Sequence, residues 1–160
     1  ESAFDLFNDA EKADVSLLMT GDAAQTVSEY IVDNIAENRK DLVAFISPPR
    51  AAVVNNMGSE TTAIITNRNL FNSSSYAVMD SGWKKQFDKY NNVYRWVPLN
   101  GDIAGLCART DYTNAAWWSP AGLNRGLIKN VTQLSWSPNQ ADRDTLYKNS
   151  VNPEIGRAHV

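Results

Sequence analysis

"ADVSLLMTGDAAQTVSEYIVDNIAENRKDLVAFISPPR", residues 13–50, decides the fold. The run from about Asp14 to Met19 is apolar and closes at Gly21, so it reads as a buried strand. Val27, Ile31 and Ile35 then recur every four residues with Tyr30 beside them, which is the apolar stripe of a helix. Asp22, with Gln25 three residues on, has the spacing of a capping box. "DLVAFIS" is a second apolar run, stopped by Pro48 and Pro49, as a central strand would be. Strand, helix, strand makes a βαβ unit with a right-handed crossover expected.

Outward from this unit, "SETTAIITNRNLFNSSS" predicts a helix capped by Ser59, and "YAVMD" a third apolar strand. "GWKKQFDKYNNVYRWVPLNG" alternates as two strands that turn near Asn91 and Asn92. "NGDIAGLCART" returns to helical spacing through Ile103, Leu106 and Cys107, and "DYTNAAWWSPAGLNRG" is loop-like. "LIKNVTQLSW" reads as a long strand. "SPNQADRDTLYKNS" reads as a helix with Ser137 as cap, Pro138 at the first position and Gln140 completing the box. "VNP" then opens an element that is not finished. The expected class is α/β: an incomplete mixed sheet with flanking helices.

Bulk properties bound the function. A chain of 160 residues, 43% hydrophobic and 21% charged, suits one globular domain with a real core. No apolar run approaches a membrane span. The acidic N-terminus lacks a signal pattern and an initiator Met, so the chain is expected to start inside a longer reading frame. The single cysteine, Cys107, excludes an internal disulfide framework and reads as a small core residue. Net charge is −3, yet residues 1–38 hold nine acids and one base, whereas residues 39–160 hold nine acids and fourteen bases. That split suits either a solvated acidic helix or head-to-tail contact between copies of one chain.

Catalytic patterns are thin. "NGDIAG" carries Gly101 and Gly105 without the spacing of a phosphate loop. "DSG" (Asp80–Gly82) places Ser81 after an apolar strand, as hydrolases do, but a strained nucleophile turn wants glycine on both sides and a base in reach. A strand ending in a polar turn is the simpler reading. Asp5, Asp9 and Glu11 belong to an acidic surface, and Asp142 and Asp144 to an early helix turn where acids favour the dipole. The triplets at Asn72 and Asn130 are expected by chance. More informative are Trp83, Tyr90, Tyr94 and Trp96, within fourteen residues and interleaved with Lys84, Lys85, Lys89 and Arg95. Such a mixture fits a core half-turned outward, a protein–protein surface or a stacking platform for single strands.

"FDLFNDAEKADVSLLMTGD", "YAVMDSGWKKQFDKYNNVYRWVPLNGDIAGLCARTD", "WWSPAGLNRGLIKNV" and "SPNQADRDTLYKNSVNP" resemble contractile phage tail sheath proteins, the large sheaths of big contractile-tailed phages, in order over residues 1–153. The resemblance implies a structural subunit, not an enzyme: part of the inner α/β domain of a sheath that polymerises around the tail tube. The sheath contracts to drive the tube through the host envelope. It implies self-association through β-strand exchange by terminal arms not present in this sequence. The tail tube, baseplate and tail terminator proteins are the implied partners, with no direct nucleic acid contact and no membrane insertion. The implied location is the virion tail, assembled in the bacterial cytoplasm. Related sheaths serve pyocins and type VI secretion. No catalytic, cofactor-binding or metal-ligating residue is expected, and no cofactor. Trp117, Trp118 and Arg125 are the candidate subunit-contact residues. The more distant alternatives are an α/β hydrolase-type enzyme using Ser81 and a single-stranded nucleic-acid-binding module.

The resemblance stops at Pro153. "EIGRAHV", Glu154–Val160, matches in frame a translation of the start of a common short-read sequencing adapter, GAG-ATC-GGA-AGA-GCA-CAC-GTC. The expected division is a partial sheath domain over 1–153 and a non-native tail over 154–160. That tail carries His159, the sole histidine, so histidine-based triads and metal sites leave the list of expectations with it.

Overall fold

A computed structural model describes residues 3–155. His159 and the other residues of the 156–160 stretch lie outside them. Two small sheets organise the chain. The first is parallel: β1 (Leu17–Met19), β2 (Val43–Ile46) and β3 (Ala77–Met79), in the order β1-β2-β3. The second is antiparallel: β4 (Trp83–Asp88), β5 (Val93–Pro98) and β6 (Gln133–Leu134), in the order β5-β4-β6. The mixed strand directions expected from the sequence are present, but they divide between two sheets. Asp80-Ser81-Gly82 is the joint between them.

The βαβ unit forms as its pattern dictates. The helical connection runs through α1 (Gln25–Tyr30), a π-helical segment (Ile31–Ala36) and α2 (Glu37–Arg39), and Lys40 in the left-handed region ends it. Ile31 and Ile35 are fully buried and pack with Leu18, Ala36, Leu42 and Ala44, while Val27 and Tyr30 flank them. Burying each of these large side chains contributes about 1.5–3 kcal/mol. The start of the helix departs from the expectation: Ala24 is the cap position, with no side-chain cap bond. Gln25 instead donates to Glu29 across one turn and accepts from Asn67.

After the two short helices α3 (Arg50–Val53) and α4 (Glu60–Arg68), β3 extends the parallel sheet. Ser59 caps α4 by position without a side-chain bond. A second core joins Val53, Ile64, Met79, Trp83, Leu146 and Val151 and so ties the parallel sheet to β4. α5 (Asn100–Thr113) packs on β1 and β2 and runs through Asp111–Thr113, further than the loop-like reading of that stretch allowed. Cys107 on α5 is half-buried, and burial pushes its thiol up from the ordinary value. A short helix, α6 (Gly122–Arg125), follows.

Two expectations are corrected towards the C-terminus. "LIKNVTQLSW" is not a long strand: only Gln133 and Leu134 pair with β4, because Asn130 in the left-handed region interrupts the extended backbone. α7 (Gln140–Lys148) is capped by Asn139, not Ser137. The Asn139 side chain accepts from the Asp142 N–H at 3.0 Å, and the Asp142 carboxylate accepts from the Asn139 N–H at 3.2 Å. Asn152 then pairs in parallel with Asp80 as a single bridge at the open edge of β3.

Candidate assembly surface and the joint that positions it

The joint is where sequence pattern suggested chemistry. Asp80 and Ser81 are both buried. The Asp80 carboxylate accepts from the Ser47 hydroxyl at 2.5 Å and from the Gly82 N–H at 3.1 Å. Ser47 Oγ in turn accepts from the Asn100 N–H at 3.0 Å, so Asp80 ties the end of β2 to the start of α5. Burial, with Glu154 close by, raises the Asp80 pKa well above the ordinary carboxylate value. Ser81 Oγ donates to the Glu154 carboxylate at 2.6 Å and accepts from the Glu154 N–H at 3.0 Å, while its carbonyl accepts from Trp136 Nε1 at 2.8 Å. Burial pushes Glu154 up to about 7. A Cβ at Gly82 would sit 3.2 Å from Ser135 Oγ, a tight fit that would push the Ser135 side chain back.

This arrangement is a strand end locked by hydrogen bonds. Ser81 sits in a closed junction instead of on an exposed elbow, and a carboxylate held close to a second buried carboxyl is a poor assembly for nucleophilic attack. Among the described residues no group of three or more His, Cys, Asp or Glu converges as a metal site. A cavity of about 290 Å³ lies near the carboxyl ends of the parallel strands, where α/β ligands often sit. Its walls include Gly21, Gln25, Ser47, Pro48 and Trp83.

The outer surface is more distinctive. Trp117 and Trp118 stack with centroids 5.2 Å apart and planes 29° apart, and the Arg125 guanidinium lies 5.1 Å from the Trp118 centroid. The structure thus brings all three candidate contact residues into one ladder, Arg–Trp–Trp. Trp117 is 81% exposed and Trp118 39%, and large aromatics beside arginine in such positions favour protein contact.

Lys84 holds this ladder's platform. It points inward from β4, and its Nζ meets Asp102 Oδ1 at 2.7 Å and the Lys129 carbonyl at 3.0 Å. Asp102 lies in the first turn of α5, and Lys129 follows the loop that carries the ladder. One buried ammonium therefore fixes both ends of residues 102–129. Sequence reasoning grouped Lys84 with the aromatic and basic residues of the hairpin and missed this role, because a lysine next to Trp83 in a strand carries no local sign of its partner eighteen residues on.

Trp83 is core: it is buried, and its Nε1 donates to the Pro48 carbonyl at 2.7 Å. Tyr90 and Tyr94 are exposed and Trp96 is half-buried. The hairpin tip is set by Asp88, whose carboxylate accepts from the Tyr90 and Asn91 N–H groups, the Asn91 amide and Arg95 Nε. These donors, the Asn91 amide and Arg95 foremost, pull Asp88 down to about 2.

Comparison with known proteins places the fold. The family described as phage tail sheath protein central domain matches residues 5–159. The tail sheath protein of Enterobacteria phage T4 is 44% identical over 171 residues, covering 96% of this chain and 26% of that protein. The tail sheath protein of Vibrio phage KVP40 is 42% identical over 175 residues, with the same coverage of 96% and 26%. The chain thus spans about a quarter of the length of these curated relatives. Among solved structures, the helical sheath of the anti-feeding prophage in its contracted state matches with a TM-score of 0.61 at 14% identity, over 89% of this chain and 36% of that one. The anti-feeding prophage baseplate matches with a TM-score of 0.58 at 15% identity, over 88% of this chain and 34% of that one.

Proposed function

The chain belongs to the phage tail sheath protein central domain family, and from that premise we propose that it is the inner domain of a contractile sheath subunit. In this reading the whole protein polymerises around a tail tube in the virion tail. It then contracts to drive the tube through the host envelope. The observation that carries the proposal is the family match across residues 5–159. The geometry supports it: a hydrogen-bonded junction occupies the position where a nucleophile would be needed, and the exposed Arg–Trp–Trp ladder has the chemistry of a subunit contact. Neighbouring subunits, the tube protein, the baseplate and the tail terminator are the partners in this proposal, and no catalytic step is assigned.

A helical polymer repeats each contact many times, so every one can be weak and the assembly still stable. Two different patches meeting head to tail generate rings or open helices instead of a closed twofold dimer. The test is assembly. The sheath protein containing this domain, expressed with its flanking regions, should form tubes of stacked rings visible by electron microscopy. A protein that stays monomeric at every concentration would overturn the proposal. Sequencing the source locus tests the companion proposal that Glu154–Val160 derives from an adapter: the genome should then encode a different continuation after Pro153.

A further inference from the structure

The hairpin β4–β5 carries a second surface with a different chemistry, exposed at Phe87 and Tyr94 and half-buried at Lys85 and Trp96, where Trp96 packs on the second core. Its register sets Lys85 opposite Trp96 and Phe87 opposite Tyr94, and strand alternation puts these four on one face. The Phe87 and Tyr94 rings lie 5.1 Å apart, and Lys85 Nζ is 5.8 Å from the Tyr94 centroid and 5.9 Å from that of Trp96. At the tip, Lys89 Nζ lies 5.0 Å from the Tyr90 centroid. Arg95 is neutralised by Asp88 and Lys84 by Asp102, but among the described residues Lys85 and Lys89 meet no carboxylate. Asp88 holds the turn in one shape, so little order has to be gained on binding.

The same chain displays a complementary surface. Arg39 donates to the carbonyls of Phe7 and Ala13 at 2.8 and 2.9 Å, and so pins the acidic N-terminal segment against the fold. Lys12 neutralises Asp9 there, while Asp5, Glu11 and Asp14 remain exposed on that segment. None of the ion pairs among the described residues links this segment to the hairpin. Charge complementarity therefore selects the occupant. We infer that the Lys85–Phe87–Tyr94–Trp96 face and Lys89 dock on the Asp5–Asp14 segment of a second copy of this chain. The inference rests on the sheath reading and gives one of its head-to-tail contacts a location. The two ammonium groups steer and orient the contact, and the aromatic faces provide its apolar area.

Carbodiimide cross-linking of the sheath protein containing this domain, expressed with its flanking regions, tests this, with equal parts of isotope-labelled and unlabelled copies so that inter-copy links are identified by mass. Links from Lys85 or Lys89 to Glu11 or Asp14 between copies are expected at low salt. They should fall about tenfold as ionic strength rises from ~0.01 M to ~1 M and the screening length drops from about 30 Å to about 3 Å. Two charge-reversed chains sharpen the test: Lys85→Glu with Lys89→Glu, and Glu11→Lys with Asp14→Lys. Neither should self-link in this way, and their mixture should restore association because each reversed patch then meets its opposite. If either variant misfolds by circular dichroism, Lys85→Gln with Lys89→Gln replaces it and should lose the salt-dependent association. Inter-copy links that avoid these residues, a mixture that does not associate, or protection of the lysines only by single-stranded DNA would each overturn the inference. Tube formation by the flanked protein is measured separately, so the sheath reading stands or falls on its own result.

Discussion

Removing Asp102 should damage the fold more than removing the lysine it binds. Lys84 Nζ sits 2.7 Å from Asp102, and the two side chains are 5% and 24% exposed. In Asp102→Ala the ammonium stays buried with only the Lys129 carbonyl as partner. Breaking one side of a buried pair costs about 3–5 kcal/mol. Asp102 is a quarter exposed, so water can reach part of the site, and about 2–4 kcal/mol is the expected loss. For a chain of this size that lowers Tm by roughly 5–15 °C. Lys84→Met removes the charge and keeps the apolar stem. It leaves the Lys129 carbonyl without its donor and the Asp102 carboxylate without its ammonium, but water reaches Asp102 in part, so about 1–2 kcal/mol is expected. Urea unfolding followed by tryptophan fluorescence measures both variants, and Asp102→Asn separates charge from hydrogen bonding by falling between them. If Asp102→Ala is within about 0.5 kcal/mol of the parent, or Lys84→Met is the worse of the two, the clamp is not what holds residues 102–129.

Burial raises Glu154 from its ordinary value to about 7 and raises Asp80 beside it, so the folded state binds protons more tightly than the unfolded one. Stability therefore falls as pH climbs from about 4.5 through about 7. Thermal melts of the parent should show that fall and Glu154→Gln a smaller one; a rise across the same window would refute the assignment. Trp83→Ala empties a core position and orphans the Pro48 carbonyl, so a loss of about 3–5 kcal/mol is expected in urea titration. Asn139→Ala removes the observed cap and should cost about 1 kcal/mol, whereas Ser137→Ala should cost little. Trp117→Ala should leave the melt within about 0.5 kcal/mol of the parent and weaken tube assembly by the flanked protein, read by sedimentation.

The parts of the fold that were legible in the sequence share one property: their signal is periodic and local. Ile31 and Ile35 face inward because a four-residue spacing leaves them no other side, and the Asn91–Asn92 turn follows from alternation on either side of it. The expectations that failed depended on competition between neighbours. Ser137 and Asn139 both carry a capping oxygen two residues apart, and Asn139 is the one that bonds, its bond returned by Asp142. The apolar run at 127–136 looks like a strand, yet pairing needs a partner edge, and only two residues find one.

The candidate site shows the same division at longer range. Trp117, Trp118 and Arg125 could be nominated as exposed contacts from composition, but their stacking order follows only once α6 turns the arginine back over the indole. The "DSG" stretch shows the limit most clearly. Its hydroxyl after a strand reads more simply as a polar turn than as a nucleophile, but the three residues alone do not show what holds the turn. What holds it is distant: Ser47 on Asp80, Trp136 on the Ser81 carbonyl and Ser135 against Gly82. Each of those contacts removes freedom from the turn, whereas a nucleophile needs an open face and a base. The same contacts fix the angle at which β4 leaves the parallel sheet. The hairpin and the segment held by Lys84 thereby leave one hydrogen-bonded junction, which under the proposed function would set the spacing at which neighbouring subunits meet the two patches.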